Sequence, residues 1–314
     1  MNEAPIKKRH PLLLIGKIVI SLGLMGWLLS MVEWSAFFHS ISNANPWLIS
    51  LGVVFFITNL LLLILRWNVA LTYFGIEESK GSLYRLNMIG TFFNNFLPST
   101  VGGDGYKYLA LSKKHPTKKK EILSSLVFDR ASGFLTLFLI NILLLPFYAS
   151  LVVSNHAFLL LEGITLGIFL GILLVYFLRN HLAVWLDKVS IKFVRKVIET
   201  FQLVFGLNRP EIAKPVLLYS TLFVLVGALW QWSYILALGF DVNFLYLLFA
   251  FSIIQIAGII PISLNSIGIS ESLSVLLLGF AGVPLEVALA SALAVRIMLM
   301  LLSLSGGITY LLKR

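Results

Sequence analysis

Long apolar runs, separated by short polar and basic segments, dominate the pattern of this chain. They cover residues 11–32, 47–65, 122–149, 157–178, 213–238 and 287–311. An α-helix needs about 20 apolar residues to cross the hydrocarbon core of a bilayer. Inside lipid every backbone amide must be paired within its own segment, so continuous runs predict helices. The pattern therefore predicts an all-α polytopic membrane protein.

Two further apolar runs, at residues 86–97 and 272–282, are too short to cross a bilayer alone. A run of roughly 10–14 apolar residues is more often a re-entrant or buried segment. We therefore predict two re-entrant helical hairpins, at residues 83–112 and 244–282. The predicted number of transmembrane helices is six, rising to eight if the hairpins cross fully.

The positions of Lys and Arg predict the orientation. Neither residue occurs within residues 18–65, 131–178 or 215–295. Basic clusters mark cytoplasmic segments by the positive-inside rule. We therefore expect a multi-pass protein of the cell (cytoplasmic or inner) membrane, with an uncleaved first span and both termini cytoplasmic. The first hairpin then enters from the cytoplasm and the second from outside.

The segment at residues 182–207 has a different pattern. Lys188, Lys192, Arg195 and Glu199 recur on one helical face beside an apolar face. This spacing predicts an amphipathic helix on the cytoplasmic surface. Such a helix either binds anionic lipid or connects the two halves by packing on the bundle.

Two stretches carry the same features in the same order: a Trp, a Gly, an apolar segment ending in Pro, a further Gly, and an Arg in a later span. Pro and Arg are 32 residues apart in one and 35 in the other. With the orientation above, the two stretches predict inverted repeats, at about 47–149 and 213–311, within a single membrane domain of residues 1–314. The residues that define them are Trp67, Gly75, Pro98, Gly102, Gly103 and Arg130, and then Trp232, Gly239, Pro261, Gly268 and Arg296.

Each repeat contains a predicted helix break with polar residues around it. Pro ends a helix and Gly permits a sharp reversal, which predicts breaks at Pro98, Gly102, Gly103, Pro261 and Gly268. A break inside a membrane is tolerated only where it faces protein or a wet cavity. Polar residues at that depth indicate function, so we expect a substrate path lined by Asn94, Asn95, Ser99, Asp104, Ser263, Asn265 and Glu271.

Two arginines lie within predicted spans. Arg130 is about eight residues into its span, and Arg296 is near the middle of the last one. A guanidinium can bind a phosphate through two parallel hydrogen bonds, so both are candidates for holding a lipid phosphate. The alternative is a structural ion pair, of Arg296 with Glu271, or of Arg130 with Asp104 or Asp129. Glu162 is expected near the outer interface.

Composition narrows the function further. The 314 residues are 59% hydrophobic and only 12% charged, against about 25% charged in soluble domains. The net charge of +10 then indicates topology signals and anionic headgroups rather than nucleic acid. Cysteine is absent, and neither a P-loop nor a protease or hydrolase motif is present. We therefore expect no cofactor, no metal and no enzyme activity.

Several short motifs resemble one family. They are Arg66-Trp67, the run from Phe93 to Ser99 followed by Gly102-Gly103-Asp104, the pair Asp129-Arg130, and Ile260-Pro261-Ile262-Ser263 with Gly268, Glu271 and Arg296. The chain resembles, over nearly its whole length, the transmembrane region of lysylphosphatidylglycerol synthases, also described as flippase-like integral membrane proteins. That family usually has Glu at the position of Asp129.

The resemblance implies translocation of a phospholipid or a polyprenyl-phosphate-linked headgroup between leaflets. Full-length synthases also carry a cytoplasmic lysine-transferring domain, which these 314 residues do not contain. We therefore expect lipid translocation without synthesis. Membrane lipids, mainly anionic, are the expected partners, together with a separate lipid-modifying enzyme.

Two alternatives remain open. The first is a membrane enzyme or enzyme subunit acting on a lipid-linked substrate, which would need Asp104, Asp129 and Glu271 to converge. The second is a non-transporting scaffold that docks a partner through residues 182–207.

Overall fold

The computed structural model describes residues 11–96, 102–186, 210–258, 260 and 262–312. Within these ranges all regular structure is helical, which confirms the predicted fold class. The α-helices are α1 Pro11–Ser30, α2 Trp34–Ser42, α3 Pro46–Tyr73, α4 Lys80–Phe96, α5 Gly102–Lys114, α6 Lys119–Ser154, α7 His156–Leu186, α8 Pro210–Ala237, α9 Phe244–Ala257, α10 Ile269–Phe280 and α11 Leu285–Leu312. A 3₁₀ turn, Leu264–Ser266, lies between α9 and α10.

Five helices of the described chain are long and apolar enough to cross a membrane: α3, α6, α7, α8 and α11. They correspond to five of the predicted spans. The predicted first span, residues 11–32, corresponds to α1. Its segment Ile15–Ser30 is long enough to cross a membrane only together with α2, Trp34–Ser42, which it meets at 87°. Counting this pair as one span gives six, the lower end of the predicted range.

Both predicted hairpins are pairs of short helices that pack on each other. In the first, α4 and α5 cross so closely that a Cβ built on Gly103 would lie 2.1 Å from the Gly90 carbonyl oxygen. In the second, the hydroxyl of Tyr246, near the start of α9, donates to the carbonyl of Leu277, near the end of α10. Each hairpin therefore returns towards the end from which it began.

The helices that open the two predicted repeats pack against each other in antiparallel fashion. Gly52 of α3 contacts Tyr234 of α8, and Asn59, two turns later, donates to the Phe223 carbonyl at 2.6 Å. Antiparallel packing is what inverted repeats require of these two helices. The inverted relation of the repeats as whole units stays a prediction.

The same turn ends both opening helices. Gly75 after α3 and Gly239 after α8 have φ of +70° and +84°. The next amides, of Ile76 and Phe240, donate to carbonyls five residues earlier at 2.9 and 3.2 Å. This is the glycine-ended Schellman cap, and it explains why each stretch has a glycine soon after its tryptophan.

The largest buried apolar cluster joins α6, α8, α9, α10 and the start of α11, and it includes the fully buried Phe158 of α7. A second cluster, which includes Trp67, joins the first hairpin, α4 and α5, to α3, α6 and the start of α8. The two apolar clusters thereby pack both hairpins against long helices.

The predicted amphipathic segment at 182–207 lies mostly outside the described residues. Its first residues continue α7 without a break as far as Leu186. Its basic face, which includes Lys188, Lys192 and Arg195, is not among the described residues.

Candidate functional site

The first break brings the end of α4 to the start of α5. Asn94 Oδ1 accepts a hydrogen bond of 2.7 Å from the backbone amide of Gly103. The first amides of a helix have no partner within it, so the Asn94 side chain satisfies one of them. Gly102 and Gly103 begin α5, and Gly103 permits the contact with α4 because a methyl group there would collide with the Gly90 carbonyl.

A charged cluster lies on α5 and α6 beside this break. Arg130 Nε donates to Asp104 Oδ2 at 2.9 Å, and Lys107 Nζ lies 3.8 Å from Asp104 Oδ1. The Lys107 ammonium also lies 4.8 Å from the centroid of the Trp67 ring, a cation–π contact. Arg130 is thus paired with Asp104, one of the two acidic partners that the sequence left open.

Asp129 pairs with a different arginine. Arg66 of α3 donates to both of its carboxylate oxygens, Nε at 2.7 Å and Nη2 at 3.1 Å. Both side chains are buried, and Gly133 leaves space for the guanidinium on α6. Such two-contact pairing fixes geometry as well as charge.

The charged cluster at the first break contains three cations, Arg66, Lys107 and Arg130, and two carboxylates, Asp104 and Asp129. Lys107 is 11% exposed, whereas the Arg130 side chain is 45% exposed. The two Nη atoms of Arg130 have no hydrogen-bond partner among the described residues, since only Nε is engaged. The cluster therefore carries one formal positive charge in excess and presents donors on its open side.

The second break is held in an unusual backbone conformation. Asn265 and Ser266 have φ of +43° and +60°, and Gly268 has φ of +84°. Left-handed backbone is uncommon for Ser and costs free energy unless its surroundings fix it. The fixing contacts are from Ser266 Oγ to the Gly258 carbonyl at 2.9 Å and from the Leu264 amide to Ser21 Oγ at 2.9 Å.

Arg296 holds this break from α11. Its Nε donates to Glu271 Oε1 at 2.6 Å, Nη1 to the Asn265 carbonyl at 3.1 Å and Nη2 to the Ser266 carbonyl at 3.4 Å. The other Glu271 oxygen accepts the Gly268 amide at 2.8 Å and so caps α10. The predicted structural pair of Arg296 and Glu271 is present, and all three guanidinium nitrogens are engaged by protein.

The two breaks touch each other. The Asn265 side-chain amide donates to Asn95 Oδ1, across 170 residues of sequence. Ser263 is buried nearby, and its Oγ, like Asn95 Nδ2, has no hydrogen-bond partner in the part of the chain that is described. Buried polar atoms without partners are rare, so these two atoms call for a partner that is not among the described residues.

The structure thus divides the predicted site residues into two groups in contact. Asn94, Asn95, Asp104 and Arg130 lie at the first break, and Ser263, Asn265, Gly268, Glu271 and Arg296 at the second. Three predicted residues, Ser99, Pro98 and Pro261, lie outside the described residues. The carboxylates of Asp104, Asp129 and Glu271 are each bound by a different arginine.

Sequence reasoning missed the contributions of Arg66 and Lys107. Arg66 was noticed only as part of a motif at the end of an apolar run, and Lys107, three residues after Asp104, was not among the predicted site residues. The available signal was charge counting, because two acidic residues near one break leave three basic residues only partly neutralised.

Within the described ranges no three His, Asp or Glu side chains are placed to bind one metal ion.

A clamp outside the spans closes the base of the first hairpin. The Glu78 carboxylate, in the α3–α4 loop, contacts Lys114 and His115 at the end of α5 at 2.8–2.9 Å. Burial acts to raise the pKa of the Glu78 carboxyl, but the hydrogen bonds from Lys114, His115 and Ser82 outweigh it and lower the pKa below its usual value. The Glu78 carboxyl is therefore ionised at neutral pH.

Comparison with known proteins gives one family. The model of the lysylphosphatidylglycerol synthase TM region matches residues 14–306. One similar protein is the UPF0104 membrane protein of Methanothermobacter thermautotrophicus (strain Delta H). It is 23% identical over an alignment of 288 residues, and the match covers 82% of this chain and 82% of the relative. The family match confirms the resemblance in the sequence, and it takes in both hairpins and the two charged breaks. This multi-pass membrane protein therefore belongs to the family of the lysylphosphatidylglycerol synthase transmembrane region.

Proposed function

We propose that this protein moves the headgroup of an anionic phospholipid or of a polyprenyl-phosphate-linked lipid between the leaflets of the membrane. The observation that carries the proposal is the charge imbalance at the first break. Three cations and two carboxylates leave one positive charge, with the Nη donors of Arg130 on the open side.

A phosphate matches this arrangement chemically. Charge inside a membrane is costly, so an excess cation there is stabilised by a counter-charge such as a phosphate. A guanidinium whose Nε is already held by Asp104 is fixed in orientation, and its two Nη atoms can both donate to phosphate oxygens. Lys107 adds a second positive charge behind the same carboxylate.

The second break has a different role in this proposal. Arg296 and Glu271 balance each other, and the guanidinium is engaged by two carbonyls as well. In this proposal Arg296 stabilises the left-handed turn at Asn265 and Ser266 and does not bind the substrate directly. The polar atoms left over where the breaks meet, Asn95 Nδ2 and Ser263 Oγ, then line the route of the headgroup.

The proposal includes an orientation and partners. Both termini lie in the cytoplasm, the membrane is the cell (inner) membrane, and the two halves are inverted repeats that expose the meeting breaks to each side in turn. The lipid tail stays in the bilayer throughout. Each nearby carboxylate is already paired with an arginine, so the proposal assigns the chain no catalysis, and a separate enzyme supplies or modifies the lipid.

The test is headgroup translocation in proteoliposomes that contain fluorescent anionic, zwitterionic and polyprenyl-phosphate lipids. Arg130→Gln removes the open donors while keeping a polar side chain of similar length. We expect the initial rate for the transported lipid to fall about tenfold or more, since a charge-assisted hydrogen bond contributes about 1.5–3 kcal/mol. Arg85→Gln is the matched control, because Arg85 is an exposed arginine of α4 in the same hairpin.

Two results would overturn the proposal. One is the absence of translocation of every lipid tested by wild-type protein that elutes as a single folded species. The other is an equal loss of rate in Arg130→Gln and Arg85→Gln, which would mean that net basic charge rather than the Arg130 site matters.

A further inference from the structure

A buried acidic residue far from the two breaks is used by nothing described above. Glu162 lies in α7 and is 2% exposed, and Asn141 lies in α6 and is fully buried. Asn141 Nδ2 donates to Glu162 Oε2 at 3.3 Å. The carboxyl is enclosed between two membrane-spanning helices, six residues after the start of α7, and its place near the outer interface stays a prediction.

This carboxyl differs from the other carboxyls buried within the bundle. Asp104, Asp129 and Glu271 each have an arginine, but Glu162 forms no ion pair with a basic residue of the described chain. Its second oxygen, Oε1, has no hydrogen-bond partner, and neither does Asn141 Oδ1. Two acceptor atoms at one buried contact thus lack a donor.

A proton resolves both problems at once. An ionised carboxylate enclosed in apolar surroundings without a cation is strongly unfavourable. A protonated carboxyl is neutral, and its O–H is a donor that an ionised carboxylate lacks. Each side chain then has one donor and one acceptor: the amide N–H and Oδ1 of Asn141, and the O–H and the carbonyl oxygen of Glu162. An amide and a carboxylic acid can pair through two hydrogen bonds in this way.

We propose that Glu162 and Asn141 form a proton-binding site between α6 and α7, in which Glu162 is protonated at neutral pH. The ligand is the proton itself. Since the carboxyl is closed off from water in this conformation, it exchanges its proton only when the α6–α7 contact opens. Proton uptake and release are thereby coupled to a rearrangement of these two helices.

Among the described residues, no charged side chain contacts the pair. α6 and α9 pack against α7. The other titratable side chains nearest in sequence on these helices are His156, at the exposed start of α7, Tyr148 of α6 and Tyr246 of α9. The two tyrosine hydroxyls bind elsewhere, to Asn243 and to the Leu277 carbonyl. The closest charged α6 residues, Asp129 and Arg130, lie eleven or more positions before Asn141, roughly 17 Å at the helical rise, and each has its own ion-pair partner.

Infrared spectroscopy of the full chain in lipid tests the site directly. A protonated carboxyl has a carbonyl stretch distinct from that of a carboxylate. We expect such a band in wild-type protein at neutral pH, its loss in Glu162→Gln, and its retention in Glu211→Gln, which changes an exposed glutamate of α8. Isotopic labelling of glutamate should shift the band and so assign it.

A second variant tests the site independently, in case Glu162→Gln fails to fold. Asn141→Leu removes the amide that donates to Glu162, so the band should change frequency while the carboxyl stays protonated. Titration of wild-type protein to alkaline pH should leave the band in place after exposed carboxyls have ionised. The proposal is wrong if wild type lacks the band at neutral pH, or if Glu162→Gln keeps it unchanged. Neither readout depends on lipid transport, so this result stands apart from that of the translocation assay.

Discussion

Arg66 and Asp129 show how much depends on a single residue inside this bundle. The carboxylate holds the guanidinium by two hydrogen bonds between α3 and α6, and both groups are buried. Removing one partner of a buried ion pair leaves the other without compensation. The cost arises mainly from the stranded charge rather than from the lost hydrogen bonds.

We expect Asp129→Asn to destabilise the protein by roughly 3–5 kcal/mol, the usual cost of breaking a buried pair. The measurement is the thermal midpoint in detergent, followed by the fluorescence of the native tryptophans. Asp129→Glu is the control, because it keeps the charge and places the residue that the family usually has at this position. Equal midpoints for wild type and Asp129→Asn would show that the pair does not support the fold.

At the scale of elements, close packing of α4 on α11 fixes the first hairpin. A Cβ built on Gly306 would lie 2.1 Å from the Met88 carbonyl oxygen, and one on Gly307 would lie 2.7 Å from the Phe92 ring. Small residues allow helices in membranes to approach closely, and packing rather than the hydrophobic effect stabilises such contacts. The position of α4, and with it Asn94 and Asn95, therefore depends on these two glycines.

Gly306→Ala should therefore separate α4 from α11. The added methyl group meets backbone, which cannot move aside as a flexible side chain could, so we expect a loss of about 1–3 kcal/mol, as in other overpacked interiors. Gly163→Ala in α7 has open space around its Cβ and should be neutral or slightly stabilising. Thermal midpoints of the two variants measured side by side decide the matter; similar midpoints would contradict the close α4–α11 contact.

At the scale of the whole molecule, the contact between the two breaks joins the halves of the chain. Asn95 of the first hairpin and Asn265 of the second lie side by side, whereas Asn243 caps the opposite end of α9. The 14 residues of α9 extend for about 21 Å. The meeting of the breaks is thus specific to one end of the second hairpin.

Because the chain has no cysteine, introduced thiols report on this contact without background. A short bifunctional thiol reagent should join Asn95→Cys to Asn265→Cys in one variant, but not Asn95→Cys to Asn243→Cys in another. Cleavage at a protease site inserted between α7 and α8 then leaves the joined halves as one band on a denaturing gel. Cross-linking of both pairs alike, or of neither, would contradict the arrangement.

The sequence predicted the fold class and most of the elements. Apolar runs near the length of a bilayer core dictate helices, because lipid offers no partner for a free amide, and five such helices are present among the described residues. The short runs and their glycines predicted two hairpins, and two of the polar residues predicted at the breaks, Asn95 and Asn265, are in contact. That these residues line a substrate path stays a prediction. These features are local, so a linear pattern contains them.

Only the tertiary structure decided which charges are paired. From the sequence, each of the two arginines could bind a lipid phosphate or form an ion pair, Arg130 with Asp104 or Asp129 and Arg296 with Glu271. In the structure Asp129 pairs with Arg66, 63 residues away. Arg130 pairs with Asp104 through Nε and is exposed on its other side, whereas the Arg296 guanidinium is fully engaged at the second break. Ion pairing depends on distances of a few ångströms between helices that are far apart in sequence. Hydrophobic periodicity fixes that a helix is buried in lipid, but only the packing of one helix on another fixes the neighbour that each charge meets.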